Sequence, residues 1–229
     1  MKWGRAVPVS RAVIERKLND IRGRIAAAAE RAGRSAEAVT IVAVTKTVGI
    51  EEIRALMDLG VTHFGENRLP DCLDKVETIG PEVTWHFVGN LQRRKVRDAV
   101  GYFERIDAVD RRSLADELEK RAEQAERVVP VLLEVNASGE ESKSGVTPAD
   151  LPELLEHVNA QPHLEAMGLL TMAPFTDNWD IVRPVFARIR ELADAHGLPV
   201  RSMGMSNDFE VAVEEGATEV RIGTSLFRD

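Results

Sequence analysis

The chain has 229 residues, 44% hydrophobic and 30% charged, enough for one large domain or two small ones with a substantial buried core. Its formal net charge of -8 and pI near 5.3 disfavour a general nucleic-acid binder, which needs surplus Lys and Arg to displace counterions; no apolar stretch approaches the length that spans a bilayer. Cys72 is the one cysteine, which excludes an internal disulfide or a zinc site of paired cysteines and makes a reducing, cytoplasmic setting the expectation.

The N-terminal stretch MKWGRAVPVSRAVIERKLNDIRGRI mixes charges throughout and lacks a continuous apolar region, so it reads as a surface helix and not as a secretory signal. Residues 1–38 are expected to pack as a helical segment on a single domain spanning 1–229. Beyond them, short β-rich runs alternate with longer segments of helical period. The strand candidates are 39–45, 61–66, 84–89, 105–109, 129–135, 164–171, 199–205 and 219–225. Between the first two, IEEIRALMDLG repeats Ile50, Ile53, Leu56 and Met57 and stops at Gly60, a left-handed C-cap. The cluster Arg93, Arg94, Lys95 and Arg97 reads as the solvated face of a helix, with a local anion or partner site as the alternative. DRRSLADELEKRAEQAE carries a stripe of Leu114 and Leu118. TPADLPELLEHV opens with Thr147 as N-cap and Pro148 in the first turn. VRPVFARIRELADAHG ends at Gly197, and SNDFEVAVEEGA runs from Ser206 to about Gly216.

Strands that alternate with helices predict a parallel sheet covered by helices. Eight strands, at least seven of them followed by a helix, match a compact (β/α)8 barrel. An open doubly wound sheet would carry G-x-G-x-x-G after its first strand, and none is present. In a barrel the active groups gather at the C-terminal ends of the strands, with a phosphate site near the last two turns.

Lys46 ends the first strand, Gly65-Glu66-Asn67 the second, Gly89-Asn90 the third, Met205-Ser206-Asn207 the seventh and Gly223-Thr224-Ser225 the eighth. Ser206 is placed to cap the next helix, and Gly223 lets a ligand approach the backbone beside two hydroxyls, so these two turns favour an anion. A lysine amine becomes nucleophilic when its pKa falls from about 10.4 through desolvation or a nearby cation, and Arg221 could be that cation. An amine beside a phosphate cradle suggests an imine with a phosphorylated carbonyl compound, either pyridoxal phosphate or a sugar phosphate. Arg221 lies two residues before Gly223 and shares its side of the strand. There a guanidinium would leave a pyridine nitrogen unprotonated; a salt bridge to Glu219 or Glu66 is the other reading. Strands four to six end in Val109-Asp110, Val135-Asn136 and Thr171-Met172, which offer no convincing acid/base set for a sugar-phosphate aldolase.

The segments AVTKT, HFGENR, WHFVGNLQRRK, VNASGEESKSG, GLLTMAP and SMGMSNDFEVAVEEGATEVRIGTSLF together resemble the YggS/PROSC-type pyridoxal phosphate homeostasis proteins, the alanine racemase-like N-terminal domain family. The likeness runs from about residue 10 to the C-terminus, and the block from Ser202 to Phe227 is its most specific part. It implies a monomeric (β/α)8 barrel holding pyridoxal 5′-phosphate. Lys46 is then the Schiff-base lysine, Ser206, Gly223 and Thr224 hold the phosphate, Arg221 meets the pyridine nitrogen, and Asn67 lines the pocket. Met205 and Ile222 would add backbone or wall contacts. Arg228 and Asp229 depart from the GER or GAR of many relatives, outside the pocket motifs. The implied role is buffering the cofactor and delivering it to apo-enzymes without dedicated catalysis. The rival is an amino-acid racemase, which resembles this barrel but draws a second proton-transfer tyrosine from an added β-rich domain. Tyr102 falls before the fourth strand, at the opposite mouth. His86 is the nearest substitute, with a barrel-filling role as its other reading.

Overall fold

The β-branched residues of TIVAV favour the extended chain, where their side chains pack on a pleated surface, and Thr40–Val44 forms the first strand, β1. The structure, a computed structural model, describes residues 9–228; the first eight residues of the expected N-terminal helical segment and Asp229 lie outside the described residues. The further strands are β2 (His63–Glu66), β3 (Thr84–Phe87), β4 (Arg105–Val109), β5 (Val129–Glu134), β6 (Leu164–Leu170), β7 (Val200–Met205) and β8 (Glu219–Ile222). They pair in parallel in chain order, and β8 returns to β1 with Val42 beside Arg221, which closes the barrel. The expected (β/α)8 architecture is the one observed.

Helix α1 (Arg11–Arg31) precedes the barrel; α2 (Ile50–Asp58), α3 (Leu73–Ile79), α4 (Val96–Tyr102), α5 (Arg112–Gln124), α6 (Leu151–Asn159), α7 (Trp179–Ala195), α8 (Phe209–Glu214) and α9 (Thr224–Phe227) each follow one strand. Side chains on a strand alternate between faces. Ala43, Phe64, Trp85, Ile106, Leu133 and Ile222 join the main core with Ile53, Leu56, Leu114 and Leu118 of the helices. Burying one such leucine contributes about 1.5–3 kcal/mol. The alternate positions turn inward, where Val42 and Leu132 are buried together with His86, Arg105, Asp107, Glu134, Glu219 and Arg221.

Ile14, Leu18, Ile21 and Ile25 form the buried stripe of α1, at the spacing that keeps one helix face together. That face packs on α8. Arg24 lies over the Phe209 ring at 4.6 Å and pairs with Glu210 at 2.6 Å; Arg34 donates to the carbonyls of Val213 and Ala217. No helix among the described residues is long and apolar enough to cross a membrane.

Most strand ends fall within one or two residues of expectation, and three element ends differ more. β8 stops at Ile222, because Gly223 leaves the strand conformation at φ -121° and ψ -76° and begins α9. Helix α6 starts at Leu151 and not near Pro148: the Thr147 hydroxyl donates to the Asp150 carboxylate at 2.6 Å and accepts its N–H, closing a turn ahead of the helix. Helix α8 starts at Phe209, with Asp208 at its N-cap. The short α3 went unnoticed in the sequence because its buried stripe holds Val76 and Ile79 alone.

Candidate functional site

At the end of β1, Thr45 donates its hydroxyl to Glu66 Oε1 at 2.8 Å. Lys75 reaches the same carboxylate at 2.5 Å and the Thr45 carbonyl at 2.9 Å. Glu66 and Lys75 thus neutralise each other while fixing the ends of β1 and β2. Lys46, the next residue, is exposed and makes no hydrogen bond or ion pair among the described residues. The turn fixes its backbone, and no partner among the described residues engages its ammonium.

The turns after β7 and β8 are tied to one another. Ser206 Oγ accepts the Ser225 N–H at 3.2 Å, and Ser225 Oγ donates to the Ser206 carbonyl at 3.4 Å. The Ser206 hydroxyl therefore does not cap α8, as the sequence suggested. Asp208 stands at the N-cap of α8, and its carboxylate turns back to accept the Met205 N–H at 2.6 Å. Gly223 lies against Val44, two residues before Lys46: a side chain added at Gly223 would place its Cβ 3.3 Å from the Val44 carbonyl oxygen. Lysine turn and hydroxyl turns thus share one mouth, with Thr224 exposed beside them.

Asn67 borders this mouth from β2, and its Oδ1 is buried without a hydrogen-bond partner. Gly89 allows the approach, since a Cβ there would stand 2.7 Å from the Asn67 carbonyl oxygen. Ile222 is fully buried in the helix-facing core, so its backbone alone is available to the mouth. Met205 is half-buried at the end of β7.

Arg221 is 5% exposed, yet no carboxylate bonds to it. Nη1 donates to the Ser202 carbonyl at 2.7 Å and its hydroxyl at 2.9 Å, and Nη2 to the Thr171 carbonyl at 2.8 Å. Burial lowers its pKa, opposed by the charges of Asp107, Asp208, Glu134 and Glu219. The salt bridges weighed for it are not formed, because Glu66 is occupied as described and Glu219 is taken by Arg105.

That second pairing belongs to an interior network that the sequence did not reveal. Arg105 meets Glu219 at 2.9 and 2.5 Å and Asp107 at 2.6 and 3.0 Å, both in bidentate geometry. Asp107 is held well below the usual carboxylate range by His86 and Arg105 despite its burial. His86 turns Nε2 to His63 Nδ1 at 2.9 Å, while its Nδ1 is unsatisfied, 3.6 Å from Asp107. His86 is thus a barrel-filling residue with one unsatisfied nitrogen. Burial, then His86, lowers the His63 pKa. Tyr102 donates its hydroxyl to Glu77, on the helix side and away from the strand ends.

Glu134 also went unrecognised. It is 3% exposed at the end of β5, and alternation from Leu132 puts it on the interior face. The signal was a glutamate inside VLLEV, overlooked because a charge at a strand end usually reads as solvated. Burial first, then the charge of Asp110, pushes its carboxyl up to about 7, against the pull of Arg221. Desolvation likewise pushes the Cys72 thiol up to about 12, which makes it a poor nucleophile. The basic cluster divides its contacts: Lys95 bonds the Leu69 carbonyl, Arg94 bonds Gln92, and Arg93 lies 3.6 Å from Glu117. A cavity of about 340 Å³ lies at the N-terminal end, lined by Arg22, Ile25, Val39, Thr40 and His63 among others, and it touches none of the mouth residues.

These features define a closed (β/α)8 barrel whose polar C-terminal mouth is built largely from its first and last strands. The chain matches the family described as alanine racemase, N-terminal domain, over residues 17–229. It is 44% identical over 218 residues to the pyridoxal phosphate homeostasis protein of Aquifex aeolicus, covering 92% of this chain and 96% of that one. The chain belongs to the pyridoxal phosphate homeostasis proteins, within the alanine racemase N-terminal domain family. PipY of Synechococcus elongatus PCC7942, solved with PLP bound, matches at 32% identity with a TM-score of 0.80, covering 93% of this chain and 99% of that one. An alanine racemase of Clostridium difficile 630, at 16% identity and a TM-score of 0.72, shares the fold; the match covers 93% of this chain and 56% of that one.

Proposed function

We propose that this protein, as one domain, binds pyridoxal 5′-phosphate at the C-terminal mouth, with Lys46 as the amine that captures the aldehyde, and releases it to apo-enzymes. The observation that carries the reading is the junction of an exposed, partnerless Lys46 with the Ser206–Ser225 turn pair across Val44 and Gly223. The residues present suit the cofactor. Ser206 and Thr224 offer hydroxyls to a phosphate, Gly223 leaves room for it, and the orphaned Asn67 Oδ1 can accept from a ligand donor. When bound, the cofactor supplies a reactive aldehyde on an electron-withdrawing ring. Arg221 keeps its proton, so against a pyridine nitrogen it donates and leaves that nitrogen unprotonated, which weakens the ring as an electron sink. PLP bound to PipY and the name carried by the Aquifex relative support the same cofactor and role.

Holding the cofactor is favoured over racemisation because Tyr102 and His86, the candidate second proton-transfer groups, are engaged with Glu77 and His63. The test is to purify the protein with pyridoxal phosphate, record its visible spectrum before and after borohydride, and locate the reduced adduct by peptide mass. The expected result is a coloured protein with the adduct on Lys46; a colourless protein or an adduct elsewhere refutes the reading. Turnover of alanine at the rate of a dedicated racemase would refute the holding role alone.

A further inference from the structure

The mouth contains a buried acid that neither a hydrogen bond nor a counterion meets among the described residues. Glu134 faces inward at the end of β5, and its carboxyl makes no hydrogen bond or ion pair among the described residues. The register that sets Val109 beside Leu133 brings Asp110 next to it from β4. That carboxylate is already bonded by Arg111. Asp107, deeper on β4, belongs to Arg105. From β6 the neighbour is Leu170, followed by Thr171, whose hydroxyl is spent on the Val135 carbonyl. Across the barrel, β8 presents Arg221, committed to carbonyls, and Glu219, committed to Arg105. The loop after β5 is folded back by the Val146 N–H on the Glu134 carbonyl at 2.9 Å, and its Lys143 pairs with Glu140 at 2.6 Å. Arg221 keeps an uncompensated charge that pulls against protonation of Glu134, but neither it nor Lys46, the other cation of the mouth without an ion pair among the described residues, bonds to the carboxyl.

A buried carboxylate without a partner is costly and escapes the cost by taking a proton. We propose that Glu134 is the proton acceptor of the pocket, a ligand-specificity residue that is the neutral acid when the pocket is filled, so that anionic ligands bind more tightly as pH falls through neutrality. The inference rests on the cofactor reading above. A phosphate brings up to two negative charges into a mouth that already holds Asp110, and repulsion between like charges favours the protonated carboxyl further. As an acid Glu134 also becomes a hydrogen-bond donor, able to meet an oxygen of the ligand.

The experiment uses pyridoxine 5′-phosphate, which has no aldehyde and cannot bond to Lys46. Calorimetry at pH 6 and pH 8 gives its Kd, and titrations at pH 7 in two buffers of different ionisation enthalpy give the protons taken up. With a carboxyl titrating near 7 in the empty protein, Kd should rise about tenfold more between the two pH values in wild type than in Glu134→Gln, and wild type should take up a fraction of a proton that the variant does not. In wild type alone, a ¹³C-labelled glutamate carboxyl should titrate near neutrality and move upward on ligand binding, a reading that needs no variant. Equal pH dependence and equal proton uptake in both proteins, with pyridoxal phosphate still captured on Lys46, would overturn this inference and leave the cofactor reading standing. Failure of wild type to bind either compound would overturn both.

Discussion

Two buried arginines divide the barrel interior. Arg105 is saturated by two bidentate carboxylates, Asp107 and Glu219, whereas Arg221 is held by two carbonyls and one hydroxyl and pairs with no acid. The first arrangement fills the interior with neutralised charge and leaves nothing for a ligand to do. The second leaves the mouth with residual positive charge at Arg221 and Lys46, an unpaired acid at Glu134 and an orphaned acceptor at Asn67. A buried pair needs its geometry complete when the chain folds; an incomplete set has its last partner supplied by what binds.

Substitutions can break this contrast. Lys46→Ala should remove the borohydride-reducible adduct entirely while changing stability by about 0.5 kcal/mol or less, since the side chain is exposed; absorbance and urea unfolding check the two halves. Asp107→Asn should do the reverse, costing about 3–5 kcal/mol in urea unfolding at pH 7 by breaking a buried pair. Its lowered pKa means that its stabilisation is present above the unfolded carboxylate value and is lost as pH falls, so the variant should show a flatter acid limb.

Glu134→Gln should show the opposite sign in the empty protein. A carboxyl raised from 4.5 to about 7 stabilises fully below its unfolded pKa and loses that contribution as pH rises through about 7. Relative to wild type, the variant should therefore gain up to about 3 kcal/mol between pH 4 and pH 8, measured by denaturant unfolding across that range. The smallest effect expected is for Ser206→Ala, which loses the bond to the Ser225 N–H: about 1 kcal/mol of stability and a several-fold weaker grip on inorganic phosphate, read by calorimetry.

The closed barrel was legible because strand alternation and helix caps repeat along the chain, and each repeat is local. Lys46 and Gly223 were legible as a pair because a barrel sends every strand end to one mouth. Ser206 was placed at that mouth but given the wrong bond, since its hydroxyl accepts the Ser225 N–H of the β8 turn, a partner distant in the sequence that no local capping rule points to. The Arg105–Glu219 pair escaped notice because it crosses from β4 to β8, a relation no spacing in the chain expresses, and Arg105 and Asp107, though two residues apart on β4, read as charged without that partner. Glu134 was hidden by its neighbours: what marks it is the lack of a partner, which only the folded arrangement displays.

The seam between β1 and β8 joins a part of the chain made early to one made much later. Lys46 leaves the ribosome well before Gly223 and Thr224 exist, so on the proposed function the nascent chain carries the capturing amine without the turn that would hold the phosphate. Closing that seam is a long-range event, late in any order of assembly that begins with local contacts. On that reading, selective capture of a phosphorylated aldehyde belongs to the closed barrel, and a fragment ending before β8 should react with aldehydes no more discriminatingly than any surface lysine.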